Sequence, residues 1–202
     1  LEAAKQVGYP INHDFNAAEQ EGIGLYQTTQ INGERCSAYR AYLEPHLQLP
    51  NLKIETQASK KQIIYEEKNT IGVEYKKDNQ LIQVLAKREV ILSAGALQSP
   101  KILMLSGNGN PNDMKKHDIL VVHELQGVGK NLQDHPDFIF AYKSKHTALL
   151  GITPTSGFKL VKDILHYRKN RRGMISSNFA EGGGFLKTDP TLSAPNIQLH
   201  FV

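Results

Sequence analysis

Asp134 and His135 stand together in the polar stretch Asn131-Leu132-Gln133-Asp134-His135-Pro136. A carboxylate beside an imidazole is the pairing from which a general base and its orienter are built. Neighbours in an extended chain point to opposite sides, however, so the residues by themselves favour a structural polar turn. Just upstream, Gly127-Val128-Gly129-Lys130 invites a phosphate-loop reading. That loop needs four residues between its glycines and a hydroxyl after the lysine, where this chain has Asn131. The dinucleotide fingerprint GxGxxG fails as well: Asn112 and Leu132 stand where the third glycine should follow Gly107-Asn108-Gly109 and Gly127-Val128-Gly129. No GxSxG elbow occurs, the eight histidines show no zinc-ligand spacing, and the single Cys36 excludes an intramolecular disulfide.

The stretch richest in chemical meaning is Val90-Ile91-Leu92-Ser93-Ala94-Gly95. An unbroken apolar run predicts a strand buried on both faces, and the small residues after it let another group approach the backbone closely. Ser99 and Pro100 then predict an N-cap and first position for a helix over 101–105, so the whole has the strand, turn and helix order of a ligand edge. Upstream, Gly22 to Ile31 reads as a strand closed by the turn Asn32-Gly33, and Ser37 as the cap of a helix over 38–43. Leu52 to Thr56, Ile63 to Tyr65, Ile71 to Tyr75 and Leu81 to Leu85 alternate between turn signals, which predicts an antiparallel meander. Further strands are expected at Ile119 to His123 and Phe138 to Tyr142, an amphipathic helix at Phe158 to Tyr167, and a glycine-rich lead into a strand at Gly182 to Phe185.

With 202 residues, 40% hydrophobic and 22% charged, the chain is long enough to bury a core and has a globular composition. Its formal charge of +4 is mild and scattered. The one dense basic cluster, Tyr167 to Arg172, reads as a solvated helix end, and no nucleic-acid partner is expected. No apolar run approaches a membrane span, so a cytoplasmic protein is expected, with membrane association only through an electron acceptor. The opening residues read as a helix already under way and Gln198 to Val202 as an unfinished strand, so the chain is expected to be an internal piece.

GALQSPKILMLSGNG (Gly95 to Gly109) resembles the second signature of the glucose-methanol-choline oxidoreductases, and LQGVGKNLQDHP (Leu125 to Pro136) resembles the segment that follows it there. The family's order is also matched by Asp14-Phe15-Asn16, Gln20-Glu21-Gly22, Gly33 with Arg35 and Ser37, Tyr42-Leu43, Asn51-Leu52, Ser177-Asn178 with Glu181, Gly183 and Phe185, and Pro195 to Gln198. The nearest resemblance is to choline dehydrogenase-like members. Asn108 departs from the signature, which usually has an aliphatic residue between its glycines.

The resemblance implies an α/β (α+β) fold: part of a Rossmann-like FAD-binding domain with an antiparallel meander, and part of a sheet-and-helix substrate domain. Residues 1–33 would be a connecting, substrate-side segment, 34–136 part of the FAD-binding domain, and 137–202 part of the substrate-binding domain. It implies hydride transfer from a small alcohol such as choline to FAD, with Ser93, Ala94 and Gly95 beside the adenosine and a backbone contact to adenine at Lys60. Glu181 and Asn178 would face the substrate. The family's flavin-binding GxGxxG and its catalytic histidine segment have no counterpart here, so no residue of this chain is given a catalytic role. The piece itself is expected to be inactive, to need the N- and C-terminal parts of the same protein, and to be capable of dimerising through exposed strand edges. The alternative is a non-catalytic folded binding or scaffold module lacking flavin.

Overall fold

The computed structural model describes residues 1–143 and 154–202. Its elements run in the order α1 (Glu2–Gln6), β1 (Gly22–Leu25), β2 (Gln30–Ile31), β3 (Glu34–Arg35), β4 (Ser59–Glu66), β5 (Asn69–Lys77), β6 (Gln80–Leu85), α2 (Gly95–Leu105), β7 (Asn108–Gly109), α3 (Pro111–Lys115), β8 (His123–Glu124), α4 (Pro154–Asn170), β9 (Gly182–Leu186) and β10 (Ile197–Phe201). This mixture of helix and strand bears out the α/β class. The chain divides into two compact units, one of Leu1–Leu52 with Tyr142–Val202 and the other of Lys53–Ala141.

In the first unit, β1, β9 and β10 form an antiparallel sheet with β9 at its centre. The glycine run is thus the middle strand itself. Gly183 and Gly184 are buried, and a Cβ on Gly183 would run into the Leu199 carbonyl and the Tyr26 ring. Only glycine lets those groups close over the strand. Phe15, 8% exposed, and Ile23, 4% exposed, supply the buried apolar side chains of this unit, and the Phe15 ring meets those of Tyr26 and Phe185 at 5.4 and 5.1 Å. The Asn32-Gly33 turn forms as expected, with φ of 51° and 70° joining β2 to β3. The helix expected over 38–43 is instead a widened turn over Tyr39–Leu43 running into a tight turn over Glu44–His46, where Pro45 prevents regular continuation. Ser37 still serves as a cap: its Oγ accepts the Arg40 amide at 3.3 Å.

In the second unit, β4, β5 and β6 form the expected antiparallel meander, joined by tight turns, the second with Asp78 and Asn79 at φ 48° and 63°. Leu52 to Thr56 take no part in it. The β4–β5 register slips between Lys60 and Gln62 and again between Ile64 and Tyr65. The meander packs against α2 through Ile63, 8% exposed, and Ile102, 5% exposed. Helix α2 begins at Gly95, not after Pro100. Gly95, at φ 85°, turns the chain into the helix one turn early, and Ser99 Oγ reaches back to accept the Ala94 amide at 3.0 Å. Pro100 therefore sits inside the helix, where it lacks the amide that would bond Ala96. By contrast, Asn110-Pro111 starts α3 in the ordinary way, with Asn110 Oδ1 accepting the Asn112 amide at 2.9 Å. Met114 of α3 is 1% exposed.

Besides Leu52 to Thr56, three expected strands do not form as read. Val90 to Leu92 makes no ladder among the described residues and leaves Ile91 78% exposed. A strand apolar on both faces is stable only between neighbours, and none is paired with it here. Phe138 to Tyr142 is likewise unpaired and exposed. Of the run from Ile119 to His123, only His123 enters a ladder, the short parallel pairing of β7 with β8.

Candidate functional site

Lys53–Ala141 contains a cavity of about 330 Å³ whose walls include Ala58, Gln62 and Ile63 of the β4 side and Val90, Ile91 and Leu92. Both sequence-predicted cofactor stretches adjoin it: Lys60 lies between Ala58 and Gln62, and Ser93 follows Leu92. Lys60 pairs with Tyr75 in the β4–β5 ladder immediately before the register slip. A slip of this kind bends a strand and takes one residue out of the ladder, which leaves backbone groups to face another partner. Ser93 is exposed, Ala94 half-buried and Gly95 exposed, and a Cβ placed on Gly95 would meet nothing within 4 Å. The open space before Gly95 and the small side chains preceding it admit a flat group close to the backbone.

Two carboxylates, Glu55 and Glu74, also line the cavity. Hydrogen bonds from Lys77 at 2.5 Å and Lys53 at 3.0 Å hold the Glu55 carboxyl down to about 2, well below its ordinary 4.5. Glu74 accepts from Gln83 Nε2 at 3.0 Å. Apolar walls with carboxylate acceptors suit an aromatic group bearing amino and hydroxyl donors; they do not suit a bare phosphate.

Glu181 and Asn178 belong to the first unit. Both are exposed. Glu181 directly precedes β9, and its carbonyl accepts the Tyr26 amide at 2.9 Å, so the backbone that carries the carboxylate is fastened to the end of β1. Asn178 Nδ2 donates to the Ala180 carbonyl at 3.2 Å across a bend that holds Phe179 at φ 67°. The structure thus sets Asn178 and Glu181 in one short segment, and in the other unit it lines the cavity with Ala58, Gln62 and Leu92, chain neighbours of Lys60 and Ser93.

The side chain of Asp134 accepts the amide of His135 at 2.8 Å and does not orient its ring, in keeping with a structural turn. Asn131 stands at φ 56°. Asn108, the departure within the signature, is 7% exposed, pairs with His123, and faces the Tyr65 hydroxyl, which burial pushes above its ordinary range against hydrogen bonds from Thr70 and Asn108. Two residues escaped sequence reasoning. Tyr26 covers Gly183 and donates its hydroxyl to the Leu199 carbonyl at 2.6 Å. Ser106, 6% exposed, accepts the Ile63 amide at 2.8 Å and donates to the Ile102 carbonyl at 2.6 Å. A hydroxyl closing the apolar run Ile102 to Leu105 was the available signal for Ser106; nothing local marks Tyr26. Among the described residues no cluster of histidine, cysteine or carboxylate side chains could hold a metal, and no helix is long and apolar enough to cross a membrane.

Residues 1–137 match the family model described as GMC oxidoreductase. The whole chain is 39% identical to an alcohol dehydrogenase [acceptor] of Pseudomonas putida, 41% identical to an oxygen-dependent choline dehydrogenase of Chromohalobacter salexigens, and 40% identical to the mitochondrial choline dehydrogenase of Homo sapiens. It spans 37%, 36% and 34% of those proteins, about a third of their length. Among solved structures, a formate oxidase of Aspergillus oryzae studied for its FAD modification superposes with a TM-score of 0.85 at 27% identity, covering 99% of this chain and 38% of the other. An FAD-dependent oxidoreductase of Chaetomium thermophilum gives 0.77 at 28% identity, covering 91% and 33%.

Proposed function

The chain belongs to the GMC oxidoreductase family, and on that premise we propose that it is an internal portion of an FAD-dependent, choline dehydrogenase-like oxidoreductase acting on a primary alcohol. The unit Lys53–Ala141 is its flavin side and the other unit belongs to its substrate side. The observation that most supports this reading is the cavity lined by Ala58, Gln62 and Val90 to Leu92, which lie next in the chain to Lys60 and to Ser93-Ala94-Gly95. FAD, when bound, accepts the hydride from the alcohol carbon. The chain's own part is binding. Ser93, Ala94 and Gly95 leave room for the adenosine, the Lys60 backbone offers its edge a hydrogen bond, and the walls around Ile63 and Leu92 keep water from it.

On the substrate side, Glu181 attracts a cationic alcohol such as choline and Asn178 shapes the segment that presents it. No residue of this chain removes the alcohol proton. That step and the completion of the cleft fall to the other parts of the same polypeptide, and the 202 residues alone are inactive.

The test is expression of the whole reading frame. A yellow protein that reduces an artificial acceptor when given an alcohol is expected, and a colourless, inactive one would favour the scaffold alternative. Within the active protein, Glu181→Gln should raise KM for choline about ten-fold, the value of one charge contact in a partly wet pocket, and leave KM for a neutral primary alcohol of similar size unchanged. An equal rise for both would remove Glu181 from the substrate site.

A further inference from the structure

We propose that Ser106 is a positioning residue for the adenine end of the cofactor site, an inference that rests on the FAD reading above. Its hydroxyl ties two elements together. It donates to the Ile102 carbonyl one turn back in α2 and accepts the Ile63 amide of β4, at 2.6 and 2.8 Å, in a position only 6% exposed. β4 is an edge strand, paired on one side with β5 and without a second ladder partner among the described residues. Ser106 therefore takes up a donor of that edge which, so buried, would otherwise have no partner.

The placement connects both halves of the cavity. Ser106 closes the C-terminal end of α2, while Gly95 opens its N-terminal end about 16 Å away along a rigid helix. Ile63 lies three residues beyond Lys60, about 10 Å along β4. The ladder slips between Lys60 and Gln62, so pairing with β5 alone leaves this stretch of strand poorly registered. A hydrogen bond from α2 to β4 just past the slip sets how far the Lys60 backbone stands from the Ser93-Ala94-Gly95 turn. An adenine held by both would sense any change in that spacing.

The experiment uses the whole protein, stripped of flavin and titrated with FAD, with ADP measured as a competitor to report on the adenine half alone. Ser106→Ala should weaken FAD and ADP by the same factor, about ten-fold, and Ser106→Thr, which keeps the hydroxyl, should restore most of the loss for both. A purely structural role would lower the melting temperature without moving either affinity below it. Unchanged affinities, or a loss for FAD that ADP does not share, would overturn the assignment. Should Ser106→Ala fail to fold, Ser106→Cys carries the same comparison with a weaker acceptor of similar size. A wild-type protein that binds neither FAD nor ADP overturns the FAD reading along with this one, whereas normal wild-type binding with an unaltered variant overturns the role of Ser106 alone.

Discussion

The phenol of Tyr26 lies across Gly183, so the central strand of the small sheet is packed by a side chain of its neighbour instead of one of its own. Its hydroxyl spans to β10 at Leu199, and its ring stands 5.3 Å from that of His200. Tyr26→Phe keeps the ring and loses the half-buried hydrogen bond to Leu199 and a long, exposed one from Gln198 Nε2 at 3.4 Å, so chemical denaturation should show a loss of about 1 kcal/mol. Gly183→Ala should cost more, about 3 kcal/mol, because the new methyl meets the backbone carbonyl of Leu199, which cannot swing away as a side-chain end could. Equal losses for the two variants would refute this packing. The glycine run was legible as special, but which side chain needed the space was not, since Tyr26 is more than 150 residues away in sequence. Charge is read differently. Glu55 stands at the surface, its side chain partly covered, and its carboxyl is held to about 2 by Lys77 and Lys53. Its folded value lies below the ordinary 4.5, so its contribution is present in full above about pH 5 and is lost as pH falls from 4.5 towards 2. Glu55→Gln should flatten that part of the acid limb of a melting-temperature profile in low salt, and the difference should shrink in high salt. A wild-type profile already flat between pH 5 and 2.5 would contradict it.

At the scale of elements, the hairpins were the most legible part, because turn chemistry and alternation act over a few residues. Asn32-Gly33 and Asp78-Asn79 each mark a two-residue turn with both φ values positive. At the second, Asn79 holds φ 63° with a Cβ that glycine would lack. Asn79→Gly should therefore stabilise the meander by about 0.5 kcal/mol, read as a higher denaturant midpoint with an unchanged slope. A lower midpoint would mean that the unfolded-chain entropy of glycine outweighs the relief. Helix α2 was legible in its residues and misread in its start. Ser99-Pro100 is the usual sign of a first turn, yet the helix begins at Gly95 because Ser99 reaches back to the Ala94 amide and Gly95 accepts the φ of 85° that the bend requires. The same serine that suggests a cap lies inside the helix and accepts the amide of Ala94, the residue before the helix start. Side-chain to backbone bonds of that kind depend on the path of the chain and carry no distinctive spacing.

At the scale of the whole chain, the family was legible through the two long motifs, while the surroundings of the apolar runs were not, because such runs predict burial without saying against what. Large apolar side chains lie open among the described residues: Ile91 is 78% exposed, Leu120 83%, Ile139 89% and Phe158 85%. Backbone edges that carry such side chains are templates for pairing with another chain. The 202 residues expressed alone should therefore self-associate, giving light-scattering masses at or above twice 22.6 kDa that rise with concentration. Ile91→Lys, placed in the unpaired apolar run after β6, should shift the distribution back towards the monomer if that edge is the contact. A wild-type chain that stays monomeric at about 100 µM would show that these surfaces do not pair with one another. In the complete protein the same substitution buries a charge within the proposed flavin side, where desolvation is costly, and the expected outcome reverses from better behaviour to poor folding and lost yellow colour. Opposite responses of the short and the complete chain to one lysine would identify Val90 to Leu92 as a strand whose neighbours lie elsewhere in the same polypeptide.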